Sequence, residues 1–251
     1  MAQTKLTNLI NAEVFADAVS AKLGDAIKLY QMAFVQNFEG EQSGSINVPK
    51  YAYIGDAELL AEGMPVDPTL LSQTADVLTV GKVAKAVQIT DEAAKGSFGN
   101  PIGQAEEQLT KSIANGIEKE MFESLADATL SYVGGQTALN GSAVFEALNL
   151  FGEDQDGVKF LIVHPTQLAN LKQDPNYVNG QFIDMDVVSS NRVPVKSAYI
   201  MKPEAVGLYL SKDVDVETAR DTLAFQTVIS ASSHFATHLR DASKVVKITL
   251  V

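Results

Sequence analysis

The stretch INVPKYAYIGDAELLAEGMPV, Ile46 to Val66, opens as extended chain and then abandons every simple period. Ile46, Val48, Tyr51 and Tyr53 are strand-forming residue types, interrupted at Pro49. A small, acidic piece follows, and Gly63 and Pro65 turn the chain. A second strand-like run, VLTVGKVAKAVQIT, returns from Val77 to Thr90. Fully extended it would reach about 46 Å, whereas strands of compact domains usually hold about five or six residues. Such a hairpin either joins a large sheet or projects from the body. Lys82, Lys85 and Gln88 lie among its apolar residues and suit a half-solvated, projecting arm. No nucleophile, ligand cluster or phosphate loop marks the excursion from Gly44 to Thr90.

Helical patterns flank it. Phe15, Val19, Leu23, Ile27, Tyr30 and Phe34 recur every three or four residues, predicting a helix from Asn11, its N-cap, to about Phe38. NFEGEQSGS then breaks the pattern. After KGSFGNP the strongest helix begins, with Asn100 as cap and Pro101 at the first helical position. Ile102, Ala105, Leu109, Ile113, Ile117, Met121, Leu125 and Ala128 form one apolar stripe. Running to about residue 130, this helix would be a rod of roughly 42 Å. Its spacing drifts toward four, unlike a heptad coiled coil.

The remainder reads as mixed α and β. Ser142 is read as the cap of a short helix, AVFEALNLF, closed by Gly152. VKFLIVHP is a buried strand, and TQLANLKQD a short helix ending before Pro175. FIDMDVVSS, SAYIMKP, AVGLYLS, LAFQTVISASSHFAT and KVVKITLV supply strands to the C-terminus. The fold class is α+β, with no internal repeats. Gly134 and Gly135 separate the rod from the C-terminal body.

With 251 residues and 46% hydrophobic content, the chain can fill a core without staples. It has no cysteine, which excludes disulfides and thiolate metal sites. No segment approaches the roughly 20 apolar residues needed to span a bilayer, and MAQTKLTNLINAEVF lacks the pattern of a signal peptide. A soluble protein with no membrane partner is expected. The net charge is −12, and the only arginines are Arg192, Arg220 and Arg240. A nucleic-acid reader needs clustered cations to neutralise phosphates, so sequence-specific binding is not expected.

Each candidate for chemistry has a plainer explanation. His234 and His238 have the i, i+4 spacing of a helical zinc motif, but HFATH lacks the adjacent glutamate and reads as strand, where the two lie about 13 Å apart. His164, before Pro165, is expected to cap a helix or pack. Ser232, Ser233, His234 and Asp241 contain the letters of a hydrolase triad without a nucleophile elbow. EDQDG, Glu153 to Gly157, resembles a calcium loop, but both key carboxylates are missing, so a polar turn is expected. GSFGNPIG lacks the lysine of a phosphate loop. Asp184 and Asp186 alternate with apolar residues and read as the solvent face of a strand. No catalytic residue, cofactor or metal is assigned.

The order of pieces carries more than any motif. GSINVPKY leads into the excursion and VQITDEAAKGS leads out; GIEKEMFESLADA lies in the rod. FLIVHPTQLANLKQDPNYVNG, DVVSSNRVP and VVKITLV follow in the body. In this order, over nearly the whole chain, they resemble the major capsid proteins of tailed bacteriophages, the HK97-like fold family. That resemblance implies an N-terminal helical arm (1–43), an extended loop (44–90), a peripheral domain with a spine helix (91–141, helix about 101–130), and an axial domain with returning peripheral strands (142–251).

The resemblance implies function as well. The chain would be a structural protein assembling as pentamers and hexamers into an icosahedral virion shell around double-stranded DNA, in the host bacterial cytoplasm. The subunit interface would include Phe15, Tyr30, Phe34, Tyr51, Tyr53, Leu59, Leu60, Val80 and Val83 of arm and loop. Some relatives carry a cleaved N-terminal scaffolding segment. Here the arm helix begins near Asn11, which implies a separate scaffolding protein or an already processed product, Met1 arguing against the second, beside a portal and decoration proteins. Alternatives are an encapsulin-like nanocompartment shell, which shares the fold, an α/β enzyme using the Asp184 region or the C-terminal histidines, and a small-molecule binding module.

Overall fold

The computed structural model describes residues 12–38, 44–51, 54–57, 59–60, 63–96, 100–211 and 214–251. In chain order the elements begin with α1 (Ala12–Ala26), β1 (Phe34–Phe38), β2 (Ser45–Tyr51), β3 (Gln73–Thr79), β4 (Gly81–Thr90), α2 (Asp91–Gly96) and α3 (Pro101–Leu125). Then come β5 (Leu130–Val133), α4 (Gly141–Leu148), β6 (Phe160–Val163), α5 (Pro165–Leu171), β7 (Tyr177–Val178), β8 (Gln181–Phe182) and β9 (Met185–Ser189). The last are β10 (Ser197–Met201), β11 (Val206–Ser211), β12 (Asp215–Asp221), β13 (Gln226–Leu239) and β14 (Val245–Thr249).

Three sheets result. A seven-stranded sheet has the order β5-β14-β10-β6-β9-β8-β7. A second runs β1-β11-β13-β12, with β4 also on β13, and β2-β3 form a separate pair. The seven-stranded sheet divides two cores through the period-two alternation of its strands. Tyr199 and Met201 of β10 join one core with α1 and α3, whereas Ala198 and Ile200 join the other with α4 and Leu171 of α5. Every residue of β10 is therefore buried. The α3 stripe behaves as its period demands. Leu109, Ile113, Ile117, Met121 and Leu125 are fully buried, each contributing about 1.5–3 kcal/mol.

Local chemistry sets the ends of α3 and α5. Asn100 Oδ1 accepts from Gly103 N–H at 3.0 Å, with Pro101 starting α3 as expected. His164 Nδ1 accepts from Thr166 N–H at 3.2 Å, capping α5 as expected. At Gly116 the helix comes so close to β4 that an added Cβ would lie 2.9 Å from Val83 Cγ1. A methyl group there forces helix and strand apart. Glu118 is buried on the same helix and accepts from Arg192 Nε at 3.0 Å. Arg192 also donates to Asn115 Oδ1 at 2.8 Å, tying the β9–β10 connection to α3.

Several elements differ from the sequence expectation. The first helix stops at Ala26 rather than near Phe38, and Asn11 lies outside the described residues. Helix-like turns, with Ala33 N–H donating to Leu29 C=O at 2.9 Å, preserve the apolar period while Ile27, Leu29 and Met32 stay buried. Phe34 then pairs with Gly207 in a parallel ladder, so tertiary pairing overrides the pattern. The run Val77–Thr90 is two strands divided at Val80. Val80 N–H donates to Gly44 C=O at 3.0 Å and closes the β2–β3 hairpin. Beyond it, β4 joins the body along β13, because that long strand supplies a partner from Phe235 to Gln226. β2–β3 thus form a pair of their own, whereas β4, expected in the same projecting arm, belongs to the body sheet.

The rod ends at Leu125, not near 130, because Leu130–Val133 is drawn into a parallel ladder with β14. The cap of α4 is Asn140, whose Oδ1 accepts from Ala143 N–H at 3.0 Å, rather than Ser142. A 3-10 turn continues α4 to Phe151, where Gly152, at φ 61°, ends it as expected. FIDMDVVSS is not one strand: Ile183 and Asp184 both have positive φ, 51° and 58°, and turn the chain between β8 and β9. Asp184 thus sits in a turn, not on a strand face. The strands β1 and β12 had no clear sequence signature.

Candidate assembly surface

The β2–β3 hairpin pairs Ser45 with Thr79 through Tyr51 with Gln73 and leaves residues 52–72 between its arms. Every described residue from Ile54 to Val77 is exposed. Eight are large and apolar: Ile54, Leu59, Leu60, Met64, Val66, Leu70, Leu71 and Val77, with Leu59 104% and Leu70 88% accessible. Scattered single apolar residues are ordinary on a surface, whereas a concentration in one segment marks a contact site. The segment also lacks helical or strand periodicity, so no apolar face of its own can fold inward.

Of the expected interface residues, Leu59 and Leu60 lie in this segment. Tyr51 ends β2, its backbone opposite Gln73, and Tyr53 lies outside the described residues. Val80 is half-buried at the hairpin base. The other four belong to the body. Phe15 is only 5% exposed within the core, so the expectation that it faces a neighbour is corrected: it seals α1 against its own chain. Tyr30 packs its ring over Gly24, and Val83 packs against Gly116. Phe34 lies beneath the Arg240 guanidinium at 4.2 Å and beside Tyr209. The resemblance implied all four through their place in arm and excursion, and the helical period shared by Phe15, Tyr30 and Phe34 does not say which chain buries them. Ile54, Met64, Val66, Leu70, Leu71 and Val77, not singled out from the sequence, are exposed beside them; their signal was apolar content without a period.

A second exposed apolar feature is the turn between β12 and β13. Leu223 and Phe225 project from it, 93% and 62% accessible. The turn is braced. Asp221 Oδ1 accepts from Leu223 and Ala224 N–H at 3.0 and 3.1 Å, which holds its carboxyl below the ordinary range. Arg220 forms a two-pronged pair with Asp91 at 2.5 and 2.7 Å, and Asp91 N–H donates to Phe225 C=O.

The residues considered for chemistry are dispersed. Ser232, Ser233 and His234 are consecutive on β13, with His234 opposite Lys82 in register. Asp241 instead caps a 3-10 turn by accepting from Ser243 N–H. His234 and His238 sit four apart on the same strand. Asp154 of EDQDG pairs with the buried Lys202 at 2.7 Å, and the segment is a turn as expected. Asp186 accepts from Gln181 Nε2 at 2.8 Å. Among the described residues no three acidic or histidine side chains converge on a possible metal position, and no helix is long and apolar enough to cross a membrane.

Comparison with known proteins converges on one kind of molecule. The family model described as phage capsid protein matches residues 74–248. The chain is 28% identical to the major capsid protein of Staphylococcus phage phiMR11, over 98% of this chain and 95% of that one. The capsid structure of the cyanophage P-SCSP1u superposes with a TM-score of 0.72 at 13% identity, covering 100% of this chain and 93% of that one. A virus-like particle from Pyrococcus furiosus gives a TM-score of 0.68 at 12% identity, over 94% of this chain and 98% of that one.

Proposed function

The chain belongs to the phage capsid protein family, and we propose that its place in that family is the major capsid protein of a tailed phage. It is a structural protein of a virion shell, not an enzyme, and its first partner is itself, because a capsid is built from many copies of one chain. The finer reading is that copies form pentamers and hexamers that close into an icosahedron around double-stranded DNA. Scaffolding, portal and decoration proteins would assist in the host cytoplasm. In domain terms, α1 and β1 of the expected arm (1–43) pack into the peripheral part, and residues 44–80 serve as extended loop. The sheet of β4 and β11–β13 with α3 is the peripheral part, and the seven-stranded sheet with α4 and α5 is the axial part.

One observation carries this reading. The hairpin region displays eight large apolar side chains that its own chain leaves in water. A neighbouring copy is the economical cover, since the same contact then repeats around every ring. Many modest contacts made together hold a shell through high effective concentration. The acidic balance, −12, suits a container that must not grip its polyanionic cargo.

The test is the mass in solution and the electron-microscope image of the purified full chain, alone and co-expressed with its scaffolding protein. Rings and closed shells are expected. A monodisperse monomer under both conditions would refute the proposal. Nucleic acid inside the particles supports a phage capsid, whereas protein cargo would place the chain among nanocompartment shells.

A further inference from the structure

The sheet of the peripheral part has two free edges with opposite charge. Residues 226–232 of β13 pair with β12 on one side and β4 on the other, so β4 and β12 flank it about 10 Å apart. Among the described residues, neither flanking strand has a further strand beside it. The β4 edge carries Lys82 and Lys85; the β12 edge carries Asp215 and Glu217. All four are exposed, and none forms an ion pair with a described residue. Two cations on one edge and two anions on the other are thus without an ion-pair partner among the described residues.

This arrangement discriminates between ways of pairing two copies. A two-fold contact through β4 would bring lysines against lysines, and one through β12, whose Arg220 is already paired with Asp91, would set mainly carboxylates against carboxylates. Both are repulsive. A head-to-tail contact, β4 of one copy beside β12 of the next, places opposite charges together, and it is the contact type that builds a ring when its rotation closes. We propose that the β4 edge of each copy lies beside the β12 edge of its neighbour, with Lys82 on the sheet face that carries Asp215 and Glu217 and Lys85 adding positive charge from the other face, a contact that sets the direction of packing around a ring. The proposal rests on the shell reading above and adds to it the surfaces that meet and their polarity.

Charge reversal tests it in the full chain. Lys82→Glu with Lys85→Glu, or Asp215→Lys with Glu217→Lys, should raise the protein concentration needed for ring formation at least about tenfold. All four substitutions together should return it to within about threefold of wild type. A mixture of the two double variants makes its favourable contacts only in alternation. It should therefore form even-membered rings and few five-membered ones, read by native mass spectrometry. Lys82→Gln with Lys85→Gln provides a second measurement. Wild-type ring formation should weaken between about 0.05 and about 0.5 M NaCl, and the glutamine variant should lose most of that dependence.

Wild-type rings are the control that separates the two readings, since their absence counts against the shell itself. Double variants that assemble like wild type would overturn the edge pairing and leave these charges as guards against uncontrolled strand addition. So would a four-substitution variant that folds normally but does not recover, or a wild type indifferent to salt.

Discussion

Deleting residues 55–74 is expected to leave a folded body and to abolish closed shells. The described residues of the deleted stretch contribute nothing to either core, because each is exposed. The inner half of the hairpin survives: Ser45 to Pro49 still face Thr79 to Ala75, and residues 50–54 become the new turn. Loop-closure entropy changes slowly with length, so the melting temperature should move by no more than about 2 °C. Assembly should respond quite differently. Six of the eight large apolar side chains, Leu59, Leu60, Met64, Val66, Leu70 and Leu71, leave with the segment. Burying such a side chain against a neighbour contributes about 1.5–3 kcal/mol. Losing several from every contact should remove all particles in an electron-microscope field that is crowded for wild type. Normal shells from the deletion variant would contradict the contact role.

Arg192→Ala should cause the largest loss of stability among single surface-reaching changes. Glu118 is 5% exposed and lies under the guanidinium. Its Oε2 accepts from Arg192, and its Oε1 has no partner among the described residues. The pair is therefore incompletely satisfied already. Removing the arginine leaves a buried carboxylate with no counterion, a loss of about 3–5 kcal/mol in such cases. Arg192 retains 24% side-chain exposure, so water can reach part of the vacated space and the low end, about 3 kcal/mol, is expected. That corresponds to a fall of roughly 6–12 °C in the melting temperature of a chain this size. Replacing both partners, Glu118→Met with Arg192→Leu, should recover most of the loss, because neither charge then needs desolvating. A melting temperature unchanged in Arg192→Ala would mean that the ion pair does not anchor the β9–β10 connection to α3.

Much of this architecture was legible where local physics decides. Asn100 and Pro101 marked the start of α3, His164 capped α5, and the stripe from Leu109 to Leu125 identified a helix buried along one face. The failures share a cause. Phe34 continues the apolar spacing of α1 but is claimed by β11, and Leu130–Val133 follows the rod but is claimed by β14. Each is a parallel pairing to a strand more than a hundred positions away, of which a local window holds no trace. The division at Val80 was hidden similarly, since β3 and β4 have the same strand character and differ only in partner. Interface residues were misjudged in the same direction. Phe15 and Val83 have the periodicity of a packed face, and their own chain packs them. The exposed apolar residues of the hairpin follow no period, which is the pattern expected of a surface completed by another molecule rather than within the chain.

The central claim is that the hairpin segment becomes covered on assembly, and the absence of cysteine from the chain allows a direct measurement. Leu70, 88% accessible, can be replaced by a single cysteine and its reaction with a small maleimide timed in intact shells and in shells dissociated to subunits. Labelling at least about tenfold slower in the intact shell is expected of a side chain buried at an interface core. Equal rates in the two states would contradict the account.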